Sequence, residues 1–338
     1  VAKVMKKILN DPRHAVSEMI DGLVLASGGR TRRLDGLDAI VKTEIPDGKV
    51  ALLIGGGSGH EPIFHGFVGD NLGDGAACGQ FFAAPAPHII CAAAKAVHRG
   101  KGILFLYGNY AGDNMNFDIA AEMLIDEGID VRTVRVRDDV AAAPRERVED
   151  RRGIAGDVLM IKIAGAAAAA LDNLDEVERI ARKAAANVCS MGVAVSAGSI
   201  PETGRATFEL ADDEIEVGMG AHGEAGIARQ KLAPADQVAD QLMARILPDL
   251  PFGAGDEVAL LLNNLGATTM MEMLVINRRI RKTLDERGIR VHRTDVGTWL
   301  TVQEMAGFSV TLMKLDEELK HYLDAPCRSV GFTNWGGL

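Results

Sequence analysis

The chain of 338 residues carries 37 Lys and Arg against 47 Asp and Glu, a net charge of −10, with 38 glycines and only 4% aromatic residues. That length fits two domains, each large enough to bury a core, and an apolar fraction of 47% excludes a disordered chain. The acidic balance argues against nucleic acid or an anionic membrane as the main partner, because both need a basic footprint.

Asp11-Pro12 predicts a helix start, and Val16, Met19, Ile20, Leu23 and Val24 then follow the spacing of an amphipathic helix. Residues 50–54 (VALLI) read as a buried parallel strand, followed directly by the glycine loop GGGSGHEP at 55–62. Residues 102–106 (GILFL) repeat the pattern, with a polar loop at 107–117, a helix at 119–125 and a strand at 131–136. Strand, polar loop, helix and strand in recurrence argue for α/β architecture. Residues 164–185 are Ala-rich and helical, 193–197 open a second unit as a strand, and 201–217 read as a loop or hairpin. A strand at 257–262, NNLG at 263–266, a helix over 270–284, a strand at 310–313 and a helix at 316–323 complete the chain. A cut near residue 185 gives two domains, 1–185 and 186–338, each with a mostly parallel or mixed sheet flanked by helices.

The four cysteines, Cys78, Cys91, Cys189 and Cys327, form no C-x-x-C pair and read as buried small side chains. The first residues lack the long apolar run of a signal peptide, and the stretch at 163–171 is too short to span a bilayer. A cytoplasmic protein is expected.

Gly55, Gly56, Gly57 and Gly59 follow a strand, where consecutive backbone N–H groups can cradle an anion or a carbonyl oxygen. The alternative is a tight turn with no ligand. There is no P-loop, and G-x-G-x-x-G is matched only loosely, so a dinucleotide oxidoreductase ranks low. His60 and Glu61 stand at the end of this turn, where a βα loop opens an active-site crevice. His60 and His65, five apart, do not make a helix-face metal pair, so no metal site is expected. His14, His98, His292 and His321 read as surface residues, and His88 has no evident partner. His222 lies in GMGAHGEAG, on a loop that presents an imidazole to a ligand or merely carries it. Asp113, in NYAGDNMNF, is either a base at the end of a strand or a helix N-cap, a role Asn114 or Asn116 could equally fill.

GGGSGHEP (55–62), NYAGDNMNF (109–117), RRGIAG (151–156), GMGAHGEAG (218–226) and NNLG (263–266) occur in the order seen in dihydroxyacetone kinases. The chain resembles their substrate-binding, DhaK-type subunit from about residue 5 to the terminal TNWGGL. The resemblance implies a DhaK-like fold of two α/β domains, a homodimer, and a ketone held covalently as a hemiaminal on a histidine, here His222. It implies catalytic roles for His60 and Asp113, and a substrate site that includes Gly57, Ser58, Gly108 and those three residues. It implies no nucleotide on this chain. ATP or ADP with Mg would sit on an all-helical, DhaL-type partner, and a phosphotransferase-system phosphocarrier could recharge it.

Three positions depart from the family pattern. A Lys often found five residues before the Asp is Gly108, a common Ser is Ala84, and the Pro of HGEPG is Ala225. The first two changes alter room and polarity in the pocket region, so a four-carbon ketose such as erythrulose is the alternative substrate. Some family members are non-enzymatic regulators. They would be expected to lose catalytic residues, which this chain retains.

Overall fold

The computed structural model describes residues 6–336; the first five residues and the end of the terminal TNWGGL lie outside it. Two compact units emerge, and the chain passes between them several times. One comprises Asn10–Val136, Asp157–Ala186 and residues 317–336. The other comprises Arg137–Gly156, Asn187–Asp316 and residues 6–9. One of these crossings falls after Ala186, one residue beyond the expected cut at 185. A single cut leaves out the exchange of 137–156 and of the terminal segment. The latter joins the first unit because the terminal helix is tied there. Arg179 and Lys183 both pair with Glu318, at 2.6 and 2.7 Å, and the fully buried Lys162 donates to the Tyr322 carbonyl at 2.6 Å.

The first unit begins with a 3-10 turn capped by Asp11, whose carboxylate accepts from the Arg13 amide. Helix α1 (Ala15–Ala26) follows, burying Val16 and Ile20. Strands β1 (Thr31–Arg33), β2 (Ala39–Lys42), β3 (Ala51–Ser58) and β4 (Gly75–Phe81) precede helix α2 (Pro87–Val97). Then come β5 (Ile103–Gly108), α3 (Ala111–Asp126) and β6 (Val131–Val136). The sheet order is β1-β2-β4-β3-β5-β6. The four strands from β4 to β6 are parallel, and β1 and β2 add antiparallel at one edge. The strands predicted at 50–54 and 102–106 are β3 and β5 in its centre, each beginning one residue later than expected, where Leu53, Phe105, Tyr107, Phe117 and Leu124 share one core. Each such side chain contributes about 1.5–3 kcal/mol. The Ala-rich stretch divides into α4 (Gly156–Ala170) and α5 (Leu174–Ala186). The break falls at Asn173, whose side chain accepts from the Asp175 and Glu176 amides and so starts the second helix.

The second unit holds β7 (Val188–Ala194), β8 (Glu214–Val217), β9 (Ala228–Lys231), α6 (Ala235–Ile246), β10 (Glu257–Asn264), α7 (Met270–Glu286), β11 (Arg290–Gly297) and β12 (Gly307–Leu315). The last helix, α8 (Glu317–Asp324), belongs to the first unit. The sheet order is β11-β10-β12-β7-β8-β9, with only β10 and β11 parallel. Helices α6 and α7 pack Leu242, Ile246, Ile276 and Ile280 onto Met191, Leu260 and Leu312. Thr269 and Glu272 form a capping box at the start of α7. The 201–217 segment ends as the first strand of a hairpin, β8–β9, whose loop carries His222. Both units are therefore α/β with mixed sheets. Among the described residues no helix is long and apolar enough to cross a membrane.

Candidate functional site

The glycine run differs from its expectation. Gly55, Gly56 and Gly57 are residues of β3, and Gly55 and Gly56 pair with Ala77 and Cys78 of β4. Their backbones are not left-handed; the reason for glycine is close approach. A Cβ on Gly55 would lie 2.6 Å from the Ala77 carbonyl oxygen, one on Gly56 2.4 Å from the Phe64 ring, and one on Gly57 2.9 Å from the Ala83 amide. Only Gly59, at φ +108°, needs glycine for its conformation. The run is thus a packed strand end, and the turn begins at Gly59, whose amide donates to Glu61 at 2.7 Å.

His60 is 5% exposed. Its ring stacks on Phe82 at 4.7 Å, and Phe82 in turn stacks on Phe81 at 4.1 Å. Phe82 holds a left-handed φ of +53°, a strained conformation that marks sites where geometry is over-determined. Ser58 is buried. Its hydroxyl donates to the Gly79 carbonyl at 2.6 Å and lies 2.9 Å from Nε2 of the buried His65. Burial holds His65 below its ordinary value.

Asp113 is also placed differently. It lies in the first turn of α3, which starts at Ala111 rather than 119. The polar run 107–117 is therefore strand end, cap and helix. Tyr110 occupies the N-cap position, so Asp113 is neither a loop residue nor the cap. It is only 9% exposed, and its place in the first turn of a helix is one where the backbone dipole favours negative charge. Tyr107 and Phe117 stack at 4.2 Å and fasten α3 to β5. Gly112 places its Cβ direction 3.4 Å from Ala84, so the segment 82–84 touches Gly57, His60 and the start of α3. His60, Gly57, Ser58, Gly108 and Asp113 thus gather at the carboxyl ends of the adjacent parallel strands β3 and β5, where α/β folds bind ligands. Gly108 ends β5, and a Cβ there would lie 3.3 Å from Oδ2 of Asp157, a buried carboxylate that sequence reasoning did not single out.

His222 belongs to the other unit. Glu216 pins the base of its loop, accepting from the Gly226 amide and from Arg229, each at 2.9 Å. Within the loop, Glu224 accepts from the His222 amide at 2.9 Å and meets His222 Nδ1 at 3.3 Å. Burial raises the Glu224 carboxyl, but the hydrogen bonds from the His222 ring and backbone outweigh it and hold the group at about 2. The His222 side chain stays 25% exposed, presented rather than packed.

RRGIAG is support. Arg151, fully buried, forms a bidentate pair with Asp249 at 2.9 and 2.5 Å. Arg152 binds Asp139 at 2.6 Å and the Gly218 carbonyl at 3.2 Å. NNLG is likewise structural, with Asn263 accepting from the Trp299 and Leu300 amides. His14, His88 and His321 are exposed, and all four cysteines are buried and free. Among the described residues no group of three or more His, Cys, Asp or Glu is arranged to hold a metal.

Residues 21–331 match the Dak1 domain model. The chain is 46% identical, over 96% of its own length and 98% of the relative's, to a Listeria innocua protein named PTS-dependent dihydroxyacetone kinase 2, dihydroxyacetone-binding subunit DhaK. It is 39% identical to the L-erythrulose 1-kinase of Mycolicibacterium smegmatis, covering 97% of this chain and 58% of that protein. Among solved structures it is similar to the dihydroxyacetone kinase from C. freundii in complex with AMP-PNP and Mg2+. The TM-score is 0.89 at 33% identity, covering 98% of this chain and 61% of that one.

Proposed function

Because this chain belongs to the Dak1 family and is 39–46% identical to relatives named as kinases, we propose that it is the ketose-binding component of a short-chain ketose kinase, with His222 capturing the ketone and Asp113 and His60 serving the hydroxyl that is phosphorylated. One observation carries the reading: His222 stands on a pinned glycine-rich loop with its ring partly exposed and one ring nitrogen engaged. A neutral imidazole adds to a ketone carbon, the carbonyl oxygen takes a proton, and the product is a tetrahedral hemiaminal. Polyols have no carbonyl and are not captured. Asp113 accepts the proton of the primary hydroxyl as its oxygen attacks phosphorus, and His60 hydrogen-bonds that hydroxyl. The phosphoryl group comes from a nucleotide held with Mg on a helical partner, recharged where the system is phosphotransferase-dependent.

Steady-state kinetics with the cognate phosphoryl donor test these roles. Asp113→Ala should lower kcat by about 100- to 10,000-fold with little change in ketose binding, and His222→Ala should abolish carbonyl capture. Normal turnover by His222→Ala would remove the covalent step.

The Asp157 carboxylate beside Gly108 favours a second substrate reading. A long side chain at position 108 would fill this direction, whereas here a hydrogen-bond acceptor stands there. That arrangement suits the additional hydroxyl of a four-carbon ketose.

A further inference from the structure

The loop 218–227 contains a carboxylate that the reading above leaves without a task. Glu224 holds His222 at two points, its Oε2 on the backbone amide at 2.9 Å and its Oε1 against ring Nδ1 at 3.3 Å. The same loop closes on itself, the Gly220 amide donating to the Glu224 carbonyl at 3.1 Å and the Gly223 amide to the Gly220 carbonyl at 3.3 Å. Gly223 needs its left-handed φ of +85° to make that turn. Gly220 can have no side chain, because its Cβ would lie 2.3 Å from Glu224 Oε2 and 2.6 Å from Arg152 Nη1. A guanidinium and a carboxylate therefore flank the backbone just before His222. Arg152 is itself fixed by Asp139 and by the Gly218 carbonyl.

An ionised carboxylate accepts hydrogen bonds and cannot donate them. Its contact with Nδ1 is attractive only when Nδ1 carries the proton. The hydrogen bond made by one ring nitrogen decides the state of the other, so Nε2 is left with its lone pair.

We infer that Glu224 is a positioning residue that locks His222 in the Nδ1–H tautomer and so keeps Nε2 unprotonated for the addition. In the addition the Nε2 lone pair forms the N–C bond, the C=O π pair moves to oxygen, and that oxygen takes a proton. The resulting cationic ring is balanced by Glu224 across Nδ1, until the Nδ1 proton leaves or the adduct reverts. The inference rests on His222 as the capturing group. Arg152 and Asp139, from a motif the reaction does not otherwise use, hold the loop in the register that makes this contact.

The test uses the full chain with 15N-labelled histidine. His222 ring signals are assigned by difference from His222→Ala, and capture is followed with [2-13C]dihydroxyacetone. The wild type should have Nδ1 protonated and Nε2 bare. Glu224→Ala should shift the ring toward Nε2–H, the form favoured in water. If the competent tautomer falls to about a fifth, the apparent affinity for adduct formation falls about 5-fold in proportion. Glu224→Gln, isosteric and still able to accept from Nδ1, should retain most of both signals. A purely structural role would not move the tautomer. A wild type with protonated Nε2, or a Glu224→Ala variant with unchanged tautomer and unchanged capture, overturns the inference. A wild type in the Nδ1–H form that captures no ketose overturns the capture reading instead.

Discussion

Gly55→Ala should destabilise the first unit although it touches no charged or catalytic group. The added Cβ would sit 2.6 Å from the Ala77 carbonyl oxygen and 3.0 Å from the Phe117 ring. Ordinary contact begins near 3.5 Å, so β3 and β4 would have to part by about 0.9 Å. The ring could yield, but the carbonyl is backbone inside a sheet and cannot rotate away. Overpacking of this kind costs about 1–3 kcal/mol, and the backbone partner places this position near the top of that range. Alanine returns about 0.5–1 kcal/mol by restricting the unfolded chain, leaving a net loss of about 2 kcal/mol. For a domain of 150–250 residues that lowers Tm by about 4–8 °C. Thermal unfolding followed by circular dichroism measures it. Gly22→Ala is the control: Gly22 lies within α1, no heavy atom comes within 4 Å of its Cβ position, and the change should raise stability by about 0.5–1 kcal/mol. An unchanged or raised Tm for Gly55→Ala would refute the packing account of the glycine run and return it to a ligand cradle.

Two further outcomes follow from the same geometry. His65 is buried and held below its ordinary value of 6.5, so the unfolded chain binds its proton first. The stability it carries is complete above pH 6.5 and is lost as pH falls below it, by up to about 1.4 kcal/mol per pH unit; His65→Gln should flatten the Tm profile between pH 7 and 5, and an unaltered profile would contradict this. Asp157→Asn and Gly108→Lys should both lower the ratio of kcat/KM for erythrulose over dihydroxyacetone; a wild-type preference for dihydroxyacetone, unmoved by either change, would dismiss the four-carbon reading.

The continuous apolar runs in β3, β5 and β10 were legible because strands buried on both faces need no alternation. Other elements were not. β4 (GAACGQF) consists of small residues whose only signature is the partner they approach. β11 (RVHRTDVG) is a polar edge strand defined by its pairing with β10. Helices α2 and α6 passed unmarked. Gly55–Gly57 read as a turn because a sequence records glycine but not the Ala77 carbonyl that requires it. Asp113 read as a loop residue because no strong N-cap side chain announces α3: Tyr110 occupies the cap. For the site, His60, Asp113 and His222 stood out as residue types on glycine-rich segments, and the roles proposed for them came from the resemblance carried by five motifs in order. Glu224 lay inside a quoted motif, yet its hold on His222 depends on a turn that only coordinates reveal. Asp157 is 49 positions from Gly108 and meets it through the fold alone.

The most direct test of ketone capture is 13C NMR of [2-13C]dihydroxyacetone with a stoichiometric amount of the chain, compared with His222→Ala. The wild type should convert the carbonyl signal to that of a protein-bound tetrahedral carbon, and the variant should leave the free ketose spectrum unchanged. A carbonyl signal that persists with the wild type, or a bound tetrahedral signal that survives His222→Ala, would contradict the account.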